Sequence, residues 1–273
     1  MSGSGSNAEA LIAFERLVEA CSYHIAALVT DAPETSRARE IAAAAGLPLV
    51  EHDIRKFYLE HGEESTKLDS PHRRELRDLW SDELYKKIMD FSPAFACFAG
   101  FIPLSNIASR IPCLNVHPGD LTRCDSEGRR IYAGLHVLPV ERAILNGEKN
   151  LRSSVILVQP YTGDGEKEMD AGPVLGVSVP VAIDTRGLSL EELEAVKNGR
   201  QKGVRCCDVL RQLALEHIEK LKTEGDHVVF PGVVSDFAAG AFVTDEDGGL
   251  FYHGEKVVSV EYSAELPPEP LRY

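Results

Sequence analysis

The chain has 273 residues, with 29 basic against 43 acidic side chains and a formal charge of −14. With 44% hydrophobic and 26% charged residues, the composition excludes a disordered chain, because that much apolar surface can be buried in a core. The acidic balance excludes a fold-wide grip on nucleic acid or on an anionic membrane, both of which need clustered Lys and Arg. No apolar run approaches the roughly 20 residues of a membrane span.

The start, Met-Ser-Gly-Ser-Gly-Ser, carries neither a basic flank nor a signal-like apolar stretch. Residues 8–20 place Leu11, Ile12, Phe14, Leu17 and Val18 at helical spacing, with Asn7 expected as the N-cap. A strand over 24–30, a helix over 35–45 ended by Gly46 and a second strand from 47 to 50 follow. After a polar loop over 61–71 come a long helix over 73–91 and strands over 94–99 and 113–116. A polar loop over 119–134 leads to a short helix over 139–146, which Gly147 can end. Strands over 153–158 and 174–181 precede helices over 189–198 and 204–223. Strands alternating with helices predict an α/β fold, a doubly wound and mainly parallel sheet. Beyond Asp226 the texture changes. Short strands over 241–244, 250–253 and 256–260 predict a small C-terminal β-hairpin appendage. The expected organisation is an α/β domain over 1–226, with appendage and tail over 227–273.

The six cysteines include no Cys-x-x-Cys pair, and Cys206 and Cys207 are adjacent, which suits neither zinc nor an ordinary disulfide. A reducing cytoplasm and no metal are the expectation.

Three stretches could carry chemistry. Gly3-Ser4-Gly5-Ser6-Asn7 enters a helix whose N-terminal N–H groups suit a phosphate, although a flexible linker has the same composition. Gly3, Gly5 and Ala8 also satisfy Gly-x-Gly-x-x-Ala, with Asp31 closing a later strand where a nicotinamide ribose would want a carboxylate. That reading needs a strand ahead of the glycines, and the chain supplies none. In Cys113-Leu-Asn-Val-His-Pro-Gly119, Asn115 and His117 are two apart and so share a strand face. Asn115 offers an amide donor for an oxyanion, and His117 can shuttle a proton. In Glu168-Met-Asp-Ala-Gly-Pro173, Asp170 could orient His117 and favour its charged form. A hydrogen-bonded loop histidine and a solvated turn carboxylate are the commoner outcomes for such residues taken singly.

Taken in order, GSGSNAEALI from Gly3, FACFAGFIPLS from Phe95, CLNVHPGDL from Cys113, AGLHVLPVERAI from Ala133 and MDAGPVLGVSVPV from Met169 resemble the formyltransferase family, most closely its glycinamide ribonucleotide formyltransferases. The resemblance spans about residues 3–226. It implies a formyltransferase-like Rossmann variant that moves a formyl group from 10-formyltetrahydrofolate, as co-substrate, to a small amine. The default amine is glycinamide ribonucleotide, in purine biosynthesis. By the same resemblance, Asn115, His117 and Asp170 are catalytic and Gly5, Ser6 and Asn7 bind a substrate phosphate. Phe101, Ile102, Pro103, Leu104 and Met169 wall the folate pocket.

Several positions depart from the family pattern. Pro103 stands where a basic residue is expected, and Ile156 where a second histidine is expected. The loop over 161–168 is longer, and Arg211 falls at an acidic position. Met1 takes the last place of the family's first, central strand, so that strand is expected to be missing or its slot filled by a neighbouring element. Formyltetrahydrofolate hydrolysis, a non-catalytic ligand-binding relative and a nicotinamide-dependent oxidoreductase are the alternatives. The expected partner is a small, phosphorylated amine rather than nucleic acid or membrane, with a homodimer left open.

Overall fold

The structure, a computed structural model, describes all residues except 136, 161–169, 202–206, 246, 265–267 and 273. Helix α1 (Ser6–Leu17) buries Ala8, Leu11 and Ile12, a stripe at the helical repeat. Its N-cap is the left-handed Gly5, not Asn7, because the glycine turns the chain one step earlier and leaves Asn7 inside the first turn. β1 (Leu28–Thr30) is shorter than its apolar run, since its partner β2 begins only at Leu49. Between them lies α2 (Ala38–Ala45), ended by the left-handed Gly46. β2 (Leu49–Glu51) leads into α3 (Ile54–Glu60), which is capped by Asp53 accepting from the Arg55 and Lys56 N–H groups. The sequence reading missed α3, whose seven residues give too short a pattern.

Ser70 caps α4 (Pro71–Met89), with Pro71 in its first turn. β3 (Ala96–Phe98), β4 (Cys113–His117), α5 (Leu138–Leu145), β5 (Asn150–Leu151), β6 (Ser154–Leu157), β7 (Val174–Ser178) and β8 (Val181–Ala182) follow. α6 (Leu190–Asn198) opens on a reciprocal Ser189–Glu192 capping box. α7 (Val209–Leu221), capped by Asp208, runs through a π-turn at Lys222–Asp226 into α8 (His227–Ala238). β9 (Phe242–Thr244), β10 (Leu250–Tyr252), β11 (Glu255–Val257), β12 (Ser259–Tyr262) and β13 (Glu269–Leu271) close the chain.

The chain divides into two compact units. The first comprises Met1–Val116, Ile156–Pro173 and Val234–Gly240. In it β1 and β2 pair in parallel, as do β3 and β4, with Phe98 opposite Asn115. The Val158 N–H donates to the Cys113 carbonyl, which sets the far end of β6 beside β4. Its core gathers Ile54, Phe57, Tyr58, Leu76, Trp80 and Leu84 from α3 and α4. Each such side chain is worth about 1.5–3 kcal/mol when buried.

The second unit comprises His117–Val155, Val174–Val233 and Ala241–Tyr273. Here the start of β6 lies beside β7, joined by Ser178 N–H to the Ser153 carbonyl. β12 pairs in parallel with β7 and antiparallel with β13. Helices α5, α6 and α7 supply the core residues Val140, Ile144, Leu193, Leu210 and Leu213. β9, β10 and β11 form a separate antiparallel sheet. The architecture is therefore mixed α/β, with β1–β2, β3–β4 and β7–β12 paired in parallel.

Two expectations need correction. The strand expected to close the hairpin over 256–260 splits, and its second half, β12, joins the main sheet beside β7. Gly176 makes that approach feasible, since a Cβ there would lie 2.8 Å from the Tyr262 ring. Residues 227–238 form α8 rather than opening a β region. Pro231 inside an all-apolar stretch hides the helical signal there.

Candidate active site

β4 ends at His117 because Pro118 has no N–H to continue a ladder, and the Gly119 N–H turns back onto the His117 carbonyl at 2.9 Å. Asn115 and His117 alternate with Val116, so both lie on one face of β4. His117 is buried, at 4% exposure, and Asn115 is half-buried.

The imidazole Nε2 of His117 lies 2.8 Å from the Tyr132 carbonyl oxygen. A carbonyl can only accept, so Nε2 carries the hydrogen and donates it. Nδ1 is therefore the atom at which this side chain gains and loses a proton. Gly119 makes the arrangement possible, since a Cβ on it would sit 2.6 Å from the Tyr132 oxygen and 3.0 Å from Nε2. Ser154, at the start of β6, fixes the turn from below. Its hydroxyl donates to the Gly119 carbonyl at 2.7 Å and accepts from the Leu121 N–H at 2.9 Å. The Tyr132 hydroxyl in turn donates to Glu148 at 2.6 Å, and Arg123 also binds Glu148. All of this network lies in the second unit. A pocket of about 440 Å³ opens beside it, lined by Gly119, Asp120, Arg123, Tyr132 and Glu148.

Asp170 belongs to the first unit and follows the residues outside the description. Its φ of 59° is left-handed, a conformation that Asp tolerates better than most residues. Gly172, at φ 108°, admits no side chain, because a Cβ would collide with the Leu157 carbonyl oxygen. The Leu157 N–H donates to the Pro173 carbonyl at 3.1 Å. The turn carrying Asp170 is thus stitched to the end of β6, which is how a sparsely populated backbone persists.

Gly5, Ser6 and Asn7 form the cap and first turn of α1. The first N–H groups of a helix lack internal carbonyl partners and present a positive dipole end. Arg37, which the sequence reading missed, reaches this loop. Its guanidinium donates to the Ser4 carbonyl at 3.3 Å and pairs with Glu9 and Glu40. Asp31, the residue expected to bind a nicotinamide ribose, is 5% exposed and accepts from the Ser2 hydroxyl at 2.5 Å. Burial raises its pKa, and that bond opposes the rise only in part. Such a carboxylate is poorly placed to meet a diol.

Among the expected folate-pocket residues, Phe101 packs into the first unit's core, stacked 6.1 Å from Trp80 and tilted 5.3 Å from Phe98. Ile102 is 57% exposed, and Pro103 and Leu104 are half-buried. Met169 and the loop over 161–168 lie outside the described residues. Arg77, buried on α4, donates to the carbonyls of Leu104 and Thr66 at 3.0 and 2.6 Å and so anchors this loop. Nothing in HRRELRDLW distinguishes Arg77 from its solvated neighbours. Ile156, at 2% exposure, is a core residue of β6. Arg211 sits in the first turn of α7, its N–H bound by Asp208. Among the described residues no group of three His, Cys, Asp or Glu is placed to hold a metal, and no helix is long and apolar enough to cross a membrane.

Neither a family model nor a curated protein sequence matches the chain. Solved structures do. The phosphoribosylglycinamide formyltransferase of Coxiella burnetii is 22% identical, with a TM-score of 0.59 over 94% of this chain and 92% of that one. Glycinamide ribonucleotide transformylase 1 from Symbiobacterium toebii is 19% identical, with a TM-score of 0.59 over 92% and 91%. A formyltetrahydrofolate deformylase from Pseudomonas syringae pv. tomato is 11% identical, with a TM-score of 0.60 over 92% of this chain and 63% of that one. At these identities the likeness is one of fold, and it extends over nearly the whole chain.

Proposed function

We propose that this chain, which has the fold of the glycinamide ribonucleotide formyltransferases, transfers a formyl group from 10-formyltetrahydrofolate to a small phosphorylated amine. The observation that carries the reading is the state of His117. Its Nε2–H is committed to the Tyr132 carbonyl, so Nδ1 does the proton work, on the same β4 face as Asn115.

The chemistry then follows. The amine attacks the formyl carbon, and the carbonyl oxygen becomes an oxyanion. The Asn115 amide and the Nδ1–H of a protonated His117 donate to that oxygen, where charge exists only around the transition state. Asp170 favours the imidazolium and helps pass the amine's proton to the departing folate nitrogen. The N–H groups of Gly5, Ser6 and Asn7 hold the phosphate of the acceptor. Glycinamide ribonucleotide is the acceptor we favour. The exposed Ile102, Pro103 and Leu104, whose carbonyl Arg77 holds, contribute to the folate wall.

Hydrolysis is the second reading, favoured by the deformylase likeness and needing only water in place of the amine. A formyl-transfer assay with glycinamide ribonucleotide and a no-amine control separates the two. Product formed only with the amine supports transfer, and formate released equally without it supports hydrolysis. His117→Ala should abolish turnover while a folate analogue still binds. Asp170→Asn should slow turnover by about two to three powers of ten. Parental turnover in His117→Ala refutes the role given to His117.

A further inference from the structure

The pocket of about 440 Å³ in the second unit carries a set of charges that the proposed transfer leaves unused. Its volume falls within the roughly 300–1,000 Å³ of small-ligand sites. Asp120, Arg123, Glu148, Lys149 and Arg152 line it. An Nη of Arg123 binds Glu148 at 3.2 Å, and Glu148 also accepts from the Tyr132 hydroxyl. Arg152 is held differently. Its Nη1 donates to the Ser178 carbonyl at 2.7 Å and to Glu261 at 2.5 Å. Those two bonds fix a guanidinium whose side chain is only 22% exposed, while its Nε and Nη2 bond no described residue. A guanidinium edge is a fork of two parallel donors, the shape that a carboxylate fills.

Asp120 supplies the opposite sign. Its Oδ1 accepts from the Thr122 N–H at 3.1 Å and from the Thr122 hydroxyl at 2.5 Å, which holds the carboxylate in place. Lys149 is exposed, and its backbone is pinned by the Ile183 N–H on its carbonyl at 2.9 Å. Among the described residues neither Asp120 nor Lys149 has an oppositely charged partner. With Glu261 included, the three cations are matched by three carboxylates, so the pocket has little net charge with which to concentrate a simple anion or a simple cation. It offers unused groups of both signs, which complement a molecule carrying both.

We propose that this pocket binds a free α-amino acid as its zwitterion. The ligand carboxylate takes the open edge of Arg152, with Lys149 as a second cation, and the ligand ammonium faces Asp120. An uncharged ligand side chain lies against Pro139, Ala143, Leu151 and Pro180, the apolar part of the lining. Asp120, Lys149 and Arg152 take no part in formyl transfer, so this site stands apart from that reading. Tyr132 is common to both places, since it lines the pocket while its carbonyl holds His117.

The test is a titration of the isotope-labelled full chain with L-leucine, followed by amide NMR. Isocaproate lacks the ammonium and isoamylamine lacks the carboxylate, and both keep the same branched apolar body. Leucine should give saturable shifts of the Gly119, Asp120, Lys149 and Asn150 amides, and each analogue should bind about tenfold more weakly. Asp120→Asn keeps an acceptor for Thr122 and should bind leucine no better than isocaproate. The absence of saturable shifts, an analogue that binds as tightly as leucine, or shifts confined to other segments would overturn the proposal. Parental affinity for leucine in Asp120→Asn would overturn it as well.

Discussion

Gly119→Ala tests the histidine geometry without touching a reacting group. The added Cβ would lie 2.6 Å from the Tyr132 carbonyl oxygen, where ordinary contacts begin at 3.4 Å, so that oxygen must withdraw by about 0.8 Å. The same Cβ would lie 3.0 Å from His117 Nε2, and with both atoms driven out to ordinary contact their bond, now 2.8 Å, opens to about 3.4 Å, past the useful range. That bond is worth about 1 kcal/mol with neutral imidazole and about 1.5–3 kcal/mol with imidazolium. Since the charged form is the one needed at the transition state, kcat/KM should fall about 10- to 100-fold. Crowding the buried turn should cost a further ~1–3 kcal/mol of stability, a loss of several degrees in Tm. Steady-state kinetics and nitrogen NMR of the imidazole read the two consequences. A variant with kcat/KM within twofold of the parent and hydrogen still on Nε2 would refute the claim that Tyr132 and Gly119 set the histidine.

Two further substitutions probe buried charge. Arg200 binds both oxygens of Glu141, whose side chain is 2% exposed, and both oxygens of Asp208, which it holds below the usual carboxylate range. Arg200→Ala leaves the buried Glu141 only Lys197, 3.7 Å away, and should cost about 2–3 kcal/mol, with Arg200→Lys costing less; an unchanged thermal midpoint in Arg200→Ala would count against the network. Asp31 carries a raised pKa from burial, so the folded state holds the extra proton. Its contribution to stability falls as pH rises from the ordinary carboxyl value of 3.8 through the raised folded value. Asp31→Asn keeps an acceptor for Ser2, and should melt higher at pH 7 with a flatter acid-side pH dependence. A lower melting point at pH 7 would show that the charge is stabilising.

Local signals in the sequence carried much of the fold. Ser189 with Glu192, Ser70 ahead of Pro71, and Gly46 and Gly147 at helix ends act within one turn of chain, so they can be read without knowing what packs nearby. The period of two that puts Asn115 and His117 on one face of β4 is local as well. The short α3, the Pro-containing α8 and the move of β12 to the side of β7 were not legible. Each depends on a partner far away in the chain or on a pattern too short to stand out.

The candidate site divides along the same line. Residue types and spacing selected Asn115, His117 and Asp170, and the glycine loop ahead of α1. Which imidazole nitrogen holds the hydrogen depends on a carbonyl 15 residues away, and the left-handed turn at Asp170 on a collision with β6. Arg77 and Arg37 gained their places at the two loops only through long-range contacts with backbone oxygens. The sequence by itself determined the helix ends, the strand faces and the chemical groups on offer, because propensity, periodicity and capping act over a few residues. Only the tertiary structure decided each group's hydrogen-bond partner and protonation site, because those are set by atoms that meet once distant segments have packed.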